Sequence, residues 1–487
     1  MPVNAESVVK LKQLIKNNPD NESHYVDLGL EYYQSGDKET AKFSWKEGII
    51  YATCCDTLRS NLAVIMIEER DYVRASQLLS RVVIPSATTF NSWGMVKHAD
   101  LDYEGAIDYF KKSVTLNPKF STAYSNLGLM YQELNNFQQA QAYYLFALEA
   151  DPTKLEVYYK LSELYLMNGD YYKGFELYEY RFQGAGGVQL KATLDTLSKI
   201  KVPRWGGQAT DRLLLIAEQG FGDSLMMLRY INRIRDEGRV GNITIHCPPA
   251  LNRIFTSQGV DVINDLSSVH ENCDYTHYFL TMSLPYLFKE VLDTVSGKRY
   301  LDISSTLVRS GNNGKPSIGI CWAGSNTNIK DATRSLPFEV LQPLFFVDEI
   351  QLVSLQKGLN VEGINNDINI CGDFYDTAAL VNSCQHIVSA DTAVIHLAGS
   401  LGKHAFLLNR ATSEWRWGVE GSKSVWYDSV EILRQKKLYD WQPVILELLV
   451  RLNALYKFGP STIAKLEHYY LSRNDVDSAL VVKSLKG

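Results

Sequence analysis

Small and large apolar positions recur along the first 184 residues at a spacing close to 34. Segments beginning at Glu22, Asp56, Ala87, Ser121 and Leu155 align with offsets of 34, 31, 34 and 34 residues. Their seventh and eighth positions read Leu28-Gly29, Leu62-Ala63, Trp93-Gly94, Leu127-Gly128 and Leu161-Ser162, and their twentieth reads Ala41, Ala75, Ala106, Ala140 and Gly174. Self-similarity at such a period marks a repeat architecture. Two short helices cross closely only where small residues face each other, and large ones such as Tyr32, Phe110 and Tyr144 fill the gaps beside the crossing. Pro118 and Pro152 close the third and fourth segments, because proline cannot continue the hydrogen-bond ladder of a helix. The 31-residue offset predicts a second segment shortened before Ser86.

This phasing resembles the tetratricopeptide repeat, with about five repeats behind an N-terminal helix. The resemblance implies an all-α superhelix whose concave face takes up proteins or peptides. A spacer or a dimerisation element would use the same array.

After Arg181 the texture changes. Gln183-Gly184-Ala185-Gly186-Gly187 breaks the helical period, and from Arg212 short apolar runs alternate with amphipathic stretches. The runs 212–218, 242–247, 318–323, 350–355, 386–390, 404–409 and 430–434 predict strands, and 223–237, 376–384 and 391–401 predict helices. Alternation of this kind predicts parallel sheets covered on both faces. There is chain for two such units, joined near Ser310-Gly311-Asn312-Asn313-Gly314. The expected division is 1–184 for the repeats, 185–311 and 312–457 for the α/β domains, and 458–487 for a tail. The tail reads as amphipathic helices around 463–471 and 476–485 that pack back on a domain or extend an interface. Ligands of paired α/β units sit in the cleft at the C-terminal ends of the strands.

Composition narrows the partners. Of 487 residues, 45% are apolar and 21% charged, as in a soluble globular protein. The net charge of −6 argues against nucleic acid as the main partner. That charge belongs to the repeats. Residues 1–184 carry 18 basic and 24 acidic side chains, and the rest carry 31 of each. The same stretch holds 18 of the 29 tyrosines, at large-residue positions of the repeats. An acidic array favours a polypeptide partner with basic groups. No apolar run reaches the roughly 18 residues of a membrane span. The N-terminus lacks a basic stretch followed by an apolar one. Seven scattered cysteines without C-x-x-C spacing fit neither a disulfide framework nor a zinc site. A reducing, cytoplasmic setting is expected.

The chemistry-bearing motifs fall at strand ends. Gly220-Phe221-Gly222-Asp223 follows the first predicted strand and opens a helix. It imitates a dinucleotide fingerprint, but Leu225 stands at the third glycine position, and the next strand ends in His246-Cys247 without an acid for a ribose. The two glycines let backbone approach a ligand. Asp223 either accepts a proton from a hydroxyl nucleophile or caps the helix. Cys321-Trp322-Ala323-Gly324-Ser325 runs from a strand into a small-residue turn. Arg334 beyond it either forks onto phosphate oxygens or is a surface arginine. Gln356-Lys357 lies at another strand end and offers a cation under the same alternatives. Asp391-Thr392-Ala393 opens a helix whose first-turn N–H groups suit an anion. His396, about one turn along, reaches the same ligand or serves structure. Trp415-Arg416-Trp417-Gly418 is a wall beside a flat ring or loop packing. The chain has no P-loop sequence, no H-E-x-x-H and no complete nucleophile elbow, since Ala398 replaces its first glycine. Both D-x-D matches, Asp100–Asp102 and Asp475–Asp477, lie outside the predicted strand ends. Charge on a leaving phosphate would therefore fall to Arg334, Lys357 and helix dipoles.

The order of Glu179-Tyr180-Arg181-Phe182, Pro203-Arg204-Trp205-Gly206-Gly207, Glu218 through Ser224, Met282-Ser283-Leu284-Pro285, Ser354 through Gly358 and Asp391 through Gly399, behind repeats, resembles the bacterial tetratricopeptide-repeat glycosyltransferases. Their catalytic part is similar to lipopolysaccharide heptosyltransferases (glycosyltransferase family 9) and more distantly to O-linked N-acetylglucosamine transferases. The resemblance implies a GT-B architecture of two facing Rossmann-like domains. It implies a metal-independent, inverting enzyme without a cofactor, moving a sugar from a nucleoside-diphosphate or nucleoside-monophosphate sugar to an acceptor hydroxyl. Asp223 would be the catalytic carboxylate. Ser325 and Arg334 would meet the donor phosphates, Gln356 and Lys357 would face the nucleotide, and Asp391, Thr392, Ala393 and His396 would form the nucleotide-sugar motif. Gly220, Gly222 and Gly324 would give close backbone approach. Leu408-Asn409-Arg410, where relatives often carry proline, and the loop 411–426 depart from the pattern on the acceptor side. The acceptor is then a protein held by the repeats, or a lipid-linked or polysaccharide glycan. A non-catalytic scaffold with a relic transferase half is the rival class.

Overall fold

Every repeat start read from the sequence is the first residue of a helix. In the computed structural model, which describes residues 3–182, 195, 197–198, 200–266, 269, 274–304, 314–324 and 334–486, α1 (Ala5–Asn17) precedes five helix pairs. The first helices are α2 (Glu22–Ser35), α4 (Asp56–Glu68), α6 (Ala87–Ala99), α8 (Ser121–Glu133) and α10 (Leu155–Met167). Their partners are α3 (Lys38–Tyr51), α5 (Tyr72–Leu79), α7 (Tyr103–Leu116), α9 (Phe137–Ala150) and α11 (Tyr171–Tyr178). The shortened second repeat shows in α5, which has 8 residues where α3 has 14.

The small positions are set by aromatic neighbours. A Cβ on Gly94 would stand 2.5 Å from the Phe110 ring, and one on Gly128 2.5 Å from the Tyr144 ring. Phe110, Tyr144, Ala41, Ala75, Ala106 and Ala140 are fully buried. A second periodic signal lies in the turns. Asp37, Asp71, Asp102, Asn136 and Asp170 each cap the second helix of a pair, accepting the N–H three residues on at 2.9–3.3 Å. Each such cap contributes about 1 kcal/mol. The residue before each cap has positive φ: Gly36, Arg70, Leu101, Asn135 and Gly169.

The chain divides into two compact units, Met1–Leu161 and Ser162–Gly487, the division falling inside α10. The second unit holds two all-parallel sheets. One has the order β3-β2-β1-β4, with β1 (Thr210–Ile216), β2 (Val240–His246), β3 (Asp261–Ile263) and β4 (His277–Leu280). The other has the order β6-β5-β7-β8-β9, with β5 (Ser317–Cys321), β6 (Gln351–Ser354), β7 (His386–Ala390), β8 (Ala405–Asn409) and β9 (Val430–Arg434). β3 and β4 escape the sequence reading, because runs of 3 and 4 residues carry no usable period. The glycine-rich break at 183–187 and residues 310–313 of the expected domain join lie outside the described residues.

The tail packs back. Helices Pro460–Ser472 and Val476–Lys483 bury Ile463, Leu466, Tyr470, Ala479 and Val482 in the core that also holds Leu341, Leu344 and Leu352. Thr462 and the Gly459 N–H bind the Glu349 carboxylate. The hairpin reuses the turn of the repeats. Asn474 has positive φ, Asp475 caps the second helix, and Ala479 fills the small crossing position.

Candidate active site

β1 ends at Ile216, and after a four-residue turn the helix Phe221–Asp236 begins, with Gly220 at its N-cap. β7 ends at Ala390, and the helix Ala393–Ser400 begins with Thr392 at its N-cap. Both starts follow the C-terminal ends of parallel strands, where α/β proteins place ligands. They meet directly, since a Cβ on Gly222 would lie 2.7 Å from Cδ2 of His396.

Asp223 does not cap its helix. Its Oδ1 accepts from Arg416 Nε at 2.9 Å and also from Nη2 of the same guanidinium. Arg416 Nη1 donates to Glu414 Oε2 at 3.1 Å, and Arg410 holds the other Glu414 oxygen at 3.0 Å. The Arg416 side chain is only 10% exposed. Burial works against its charge, but Asp223 and Glu414 outweigh that and hold its pKa above the usual arginine value.

His396 sits beyond this pair. Its Nδ1 shares a hydrogen bond of 2.9 Å with the Tyr427 hydroxyl, and its ring centroid is 5.1 Å from that of Trp417. Burial, then the charges of Arg416 and Arg229, lower its pKa to about 3, so the imidazole is neutral at pH 7. The 4.0 Å approach of Nε2 to Asp391 is therefore not an ion pair. Burial and the Glu414 charge push Asp391 up to about 6, against the pull of Arg416 and Arg334. Thr392 accepts the Val394 N–H at 3.2 Å, so one of the first-turn donors is already capped.

The remaining sequence candidates fall around this centre. Arg334 is half-buried, and its charge acts on Asp391, His396 and Cys321. Gln356 accepts the Ala323 N–H at 2.9 Å, and the Gly324 N–H donates to Ser335 at 3.0 Å, which fixes the turn after β5. Lys357 is exposed and donates to the Cys371 carbonyl at 2.6 Å. Ala393 begins the His396 helix. Ser325 lies outside the described residues.

Two features escape the sequence reading. One is the role of the Trp415–Trp417 run, which supplies Arg416 to Asp223 and Trp417 to His396. Arg229 pins the end of this loop, donating to the Trp426 carbonyl at 2.9 Å. The other is a buried ion cluster behind the Asp223 turn. Arg181 reaches Glu218 and Ser283 at 2.8 Å and Glu179 at 3.0 Å. Arg204 pairs with Glu179, and Tyr178 hydrogen-bonds Gln219. Residues noticed only as separate stretches of the sequence thus converge on residues 218–219, just ahead of the Asp223 helix.

A tetratricopeptide-repeat family model matches residues 109–142. Protein FlbA of Caulobacter vibrioides is 26% identical over 404 residues, covering 74% of this chain and 66% of that protein. The UDP-N-acetylglucosamine–peptide N-acetylglucosaminyltransferase of Giardia intestinalis is 27% identical over 134 residues, 26% of this chain and 9% of the relative. The chain thus spans just under two thirds of the first and about a tenth of the second. The solved structure of Pseudomonas aeruginosa PilF is 22% identical, with a TM-score of 0.30 over 36% of this chain and 84% of that one. Helices α1–α11 are tetratricopeptide repeats, and a parallel-sheet α/β region follows them. Among the described residues, no helix is long and apolar enough to cross a membrane.

Proposed function

We propose that the Ser162–Gly487 unit is an inverting glycosyltransferase of GT-B type. It would use a nucleotide-sugar donor and a hydroxyl acceptor on a polypeptide recruited by the repeats. The observation that carries this reading is the convergence of Asp223, at the end of one parallel sheet, with Arg416, Asp391 and His396, at the end of the other.

In the reaction, the acceptor oxygen attacks the anomeric carbon while its proton passes to the Asp223 carboxylate. The bond from the anomeric carbon to the donor phosphate breaks, and its electron pair leaves with the nucleotide. Developing negative charge on that phosphate is met by arginine and by the start of the His396 helix. Both Arg416 bonds to Asp223 fall on Oδ1. Among the described residues, Oδ2 takes no hydrogen bond and remains available to an acceptor. The name of the Giardia relative, a peptide-directed sugar transferase, supports the polypeptide acceptor, as do the acidic repeats.

The test is nucleotide release and sugar transfer with UDP-, GDP-, ADP- and CMP-sugars against a mixture of candidate polypeptides. Wild type should turn over one donor, and Asp223→Asn should abolish turnover. Full activity in that variant would sink the assignment.

A further inference from the structure

We propose that Arg416 is the diphosphate-binding cation of this site. An incoming nucleoside diphosphate, free or within a nucleotide sugar, would draw the guanidinium away from Asp223. This rests on the glycosyltransferase reading and deepens it.

The first support is the geometry of the fork. The Nε–Nη2 edge of an arginine presents two parallel N–H groups that match two oxygens of a carboxylate or phosphate. Here both donate to the single atom Oδ1 of Asp223. A diphosphate offers separate oxygens to the same two donors, so exchange improves the pairing. Glu414 holds the third corner through Nη1 at 3.1 Å, and the guanidinium lies 4.4 Å from the Trp415 ring. Both contacts keep the group oriented while its other edge changes partner.

The neighbouring residue gives the second support. Trp417 is 3% exposed, its ring lies against His396, and its indole N–H acts on the Asp391 carboxyl as a hydrogen-bond donor. The loop that carries Arg416 is thus anchored at the start of the His396 helix, where first-turn N–H groups suit an anion.

Position is the third. Arg416 is bonded to Asp223 and its charge also acts on Asp391, as does that of Arg334. Lys357 is engaged elsewhere, on the Cys371 carbonyl. Oδ2 of Asp223 is open to an acceptor from the start, and donor binding then frees Oδ1 of its arginine.

Calorimetric titration of the full chain with UDP, GDP, ADP and CDP tests this. For whichever nucleotide binds wild type, Arg416→Gln should weaken binding at least tenfold. Arg416→Lys, which keeps the charge and loses the fork, should fall between. Asp223→Asn removes the competing anion and should tighten binding severalfold. A residue that only supported the fold would not give these opposite signs. If wild type binds a nucleotide and both Arg416→Gln and Asp223→Asn bind it equally well, the inference is overturned and the enzyme reading stands. If wild type binds none, both fall. If Arg416→Gln does not fold, Asp223→Asn decides alone: tightening supports the inference, and unchanged affinity overturns it.

Discussion

Gly222 and His396 lie in backbone-to-ring contact, the glycine on the helix that carries Asp223 and the histidine on the helix that follows β7. A Cβ at Gly222 would come 2.7 Å from Cδ2 and 3.3 Å from Nε2 of the imidazole. The ring has little room to yield, with Trp417 on one side and the Tyr427 hydrogen bond on the other. Glycine at this position is needed for its missing side chain, and its φ is not among the positive ones. Gly222→Ala gains at most about 1 kcal/mol of helix propensity. Overpacking against a pinned buried ring costs about 1–3 kcal/mol, so net destabilisation is expected. Turnover should fall further, since the shift separates Asp223 from the His396 helix. Urea denaturation and donor turnover of the variant check both; a variant with wild-type midpoint and rate would refute the close approach.

The repeats carry the same logic at Gly128. A Cβ there would overlap the Tyr144 ring, which is fully buried and tethered through its hydroxyl to Gln132 at 2.9 Å. Gly128→Ala should lower stability by about 1–3 kcal/mol despite its better helix propensity. Hydrogen exchange should report the loss in α8 and α9 before other helices. Unchanged protection there would show that the crossing tolerates a methyl group.

Tight crossings of this kind explain what the sequence made legible. They demand a small residue at a fixed phase, so Gly29, Gly94 and Gly128 announced the helix pairs, and the starts at Glu22 through Leu155 matched helix starts. Strands β1, β2 and β5–β9 were legible because both faces of a parallel sheet are buried and leave continuous apolar runs. β3 and β4 were too short to leave one. The Asp and Asn caps at Asp37, Asp71, Asp102, Asn136 and Asp170 were written at the repeat period and went unread. The site was legible only by its parts. Asp223, Asp391 and His396 stand at strand ends, which local pattern can find. Their union through Arg416 depends on a pair 193 residues apart, for which a single sequence holds no local signal.

The Arg181–Glu218 pair should dominate the stability of the turn ahead of Asp223. Arg181 is 2% exposed and Glu218 7%. Burial pushes Glu218 upward, and Arg181 opposes that shift. Removing one partner of a buried pair leaves an uncompensated charge and costs about 3–5 kcal/mol. Arg181→Met should reach that range, because it strands Glu218, while Glu179 keeps Arg204. Glu218→Gln should cost less, since Arg181 keeps Glu179 and the Tyr178 carbonyl. Adding Glu218→Leu to Arg181→Met should recover part of the loss. Equilibrium denaturation of Arg181→Met, Glu218→Leu and their double variant measures the coupling; strictly additive costs would mean that the pair acts as two independent side chains.

His396 and Asp391 should give the second unit opposing pH dependences. In the fold His396 resists protonation down to about pH 3, against 6.5 ordinarily. Its contribution is complete above pH 6.5 and is lost as pH falls, by about 2 kcal/mol at pH 5. Asp391 runs the other way. It keeps its proton up to about pH 6, against 3.8 ordinarily. Its contribution is complete below 3.8 and is lost as pH rises through about 6, by roughly 3 kcal/mol in full. Between pH 4 and 6 the two slopes nearly cancel in wild type. Asp391→Asn leaves the histidine slope, so its stability should rise relative to wild type as pH goes from 4 to 6. His396→Gln leaves the aspartate slope, so its stability should fall relative to wild type over the same interval. Urea midpoints at pH 4.5, 6.0 and 7.5 for the three proteins resolve the signs. Parallel pH profiles would mean that neither group is held away from its ordinary ionisation, and that the pocket around Trp417 admits water.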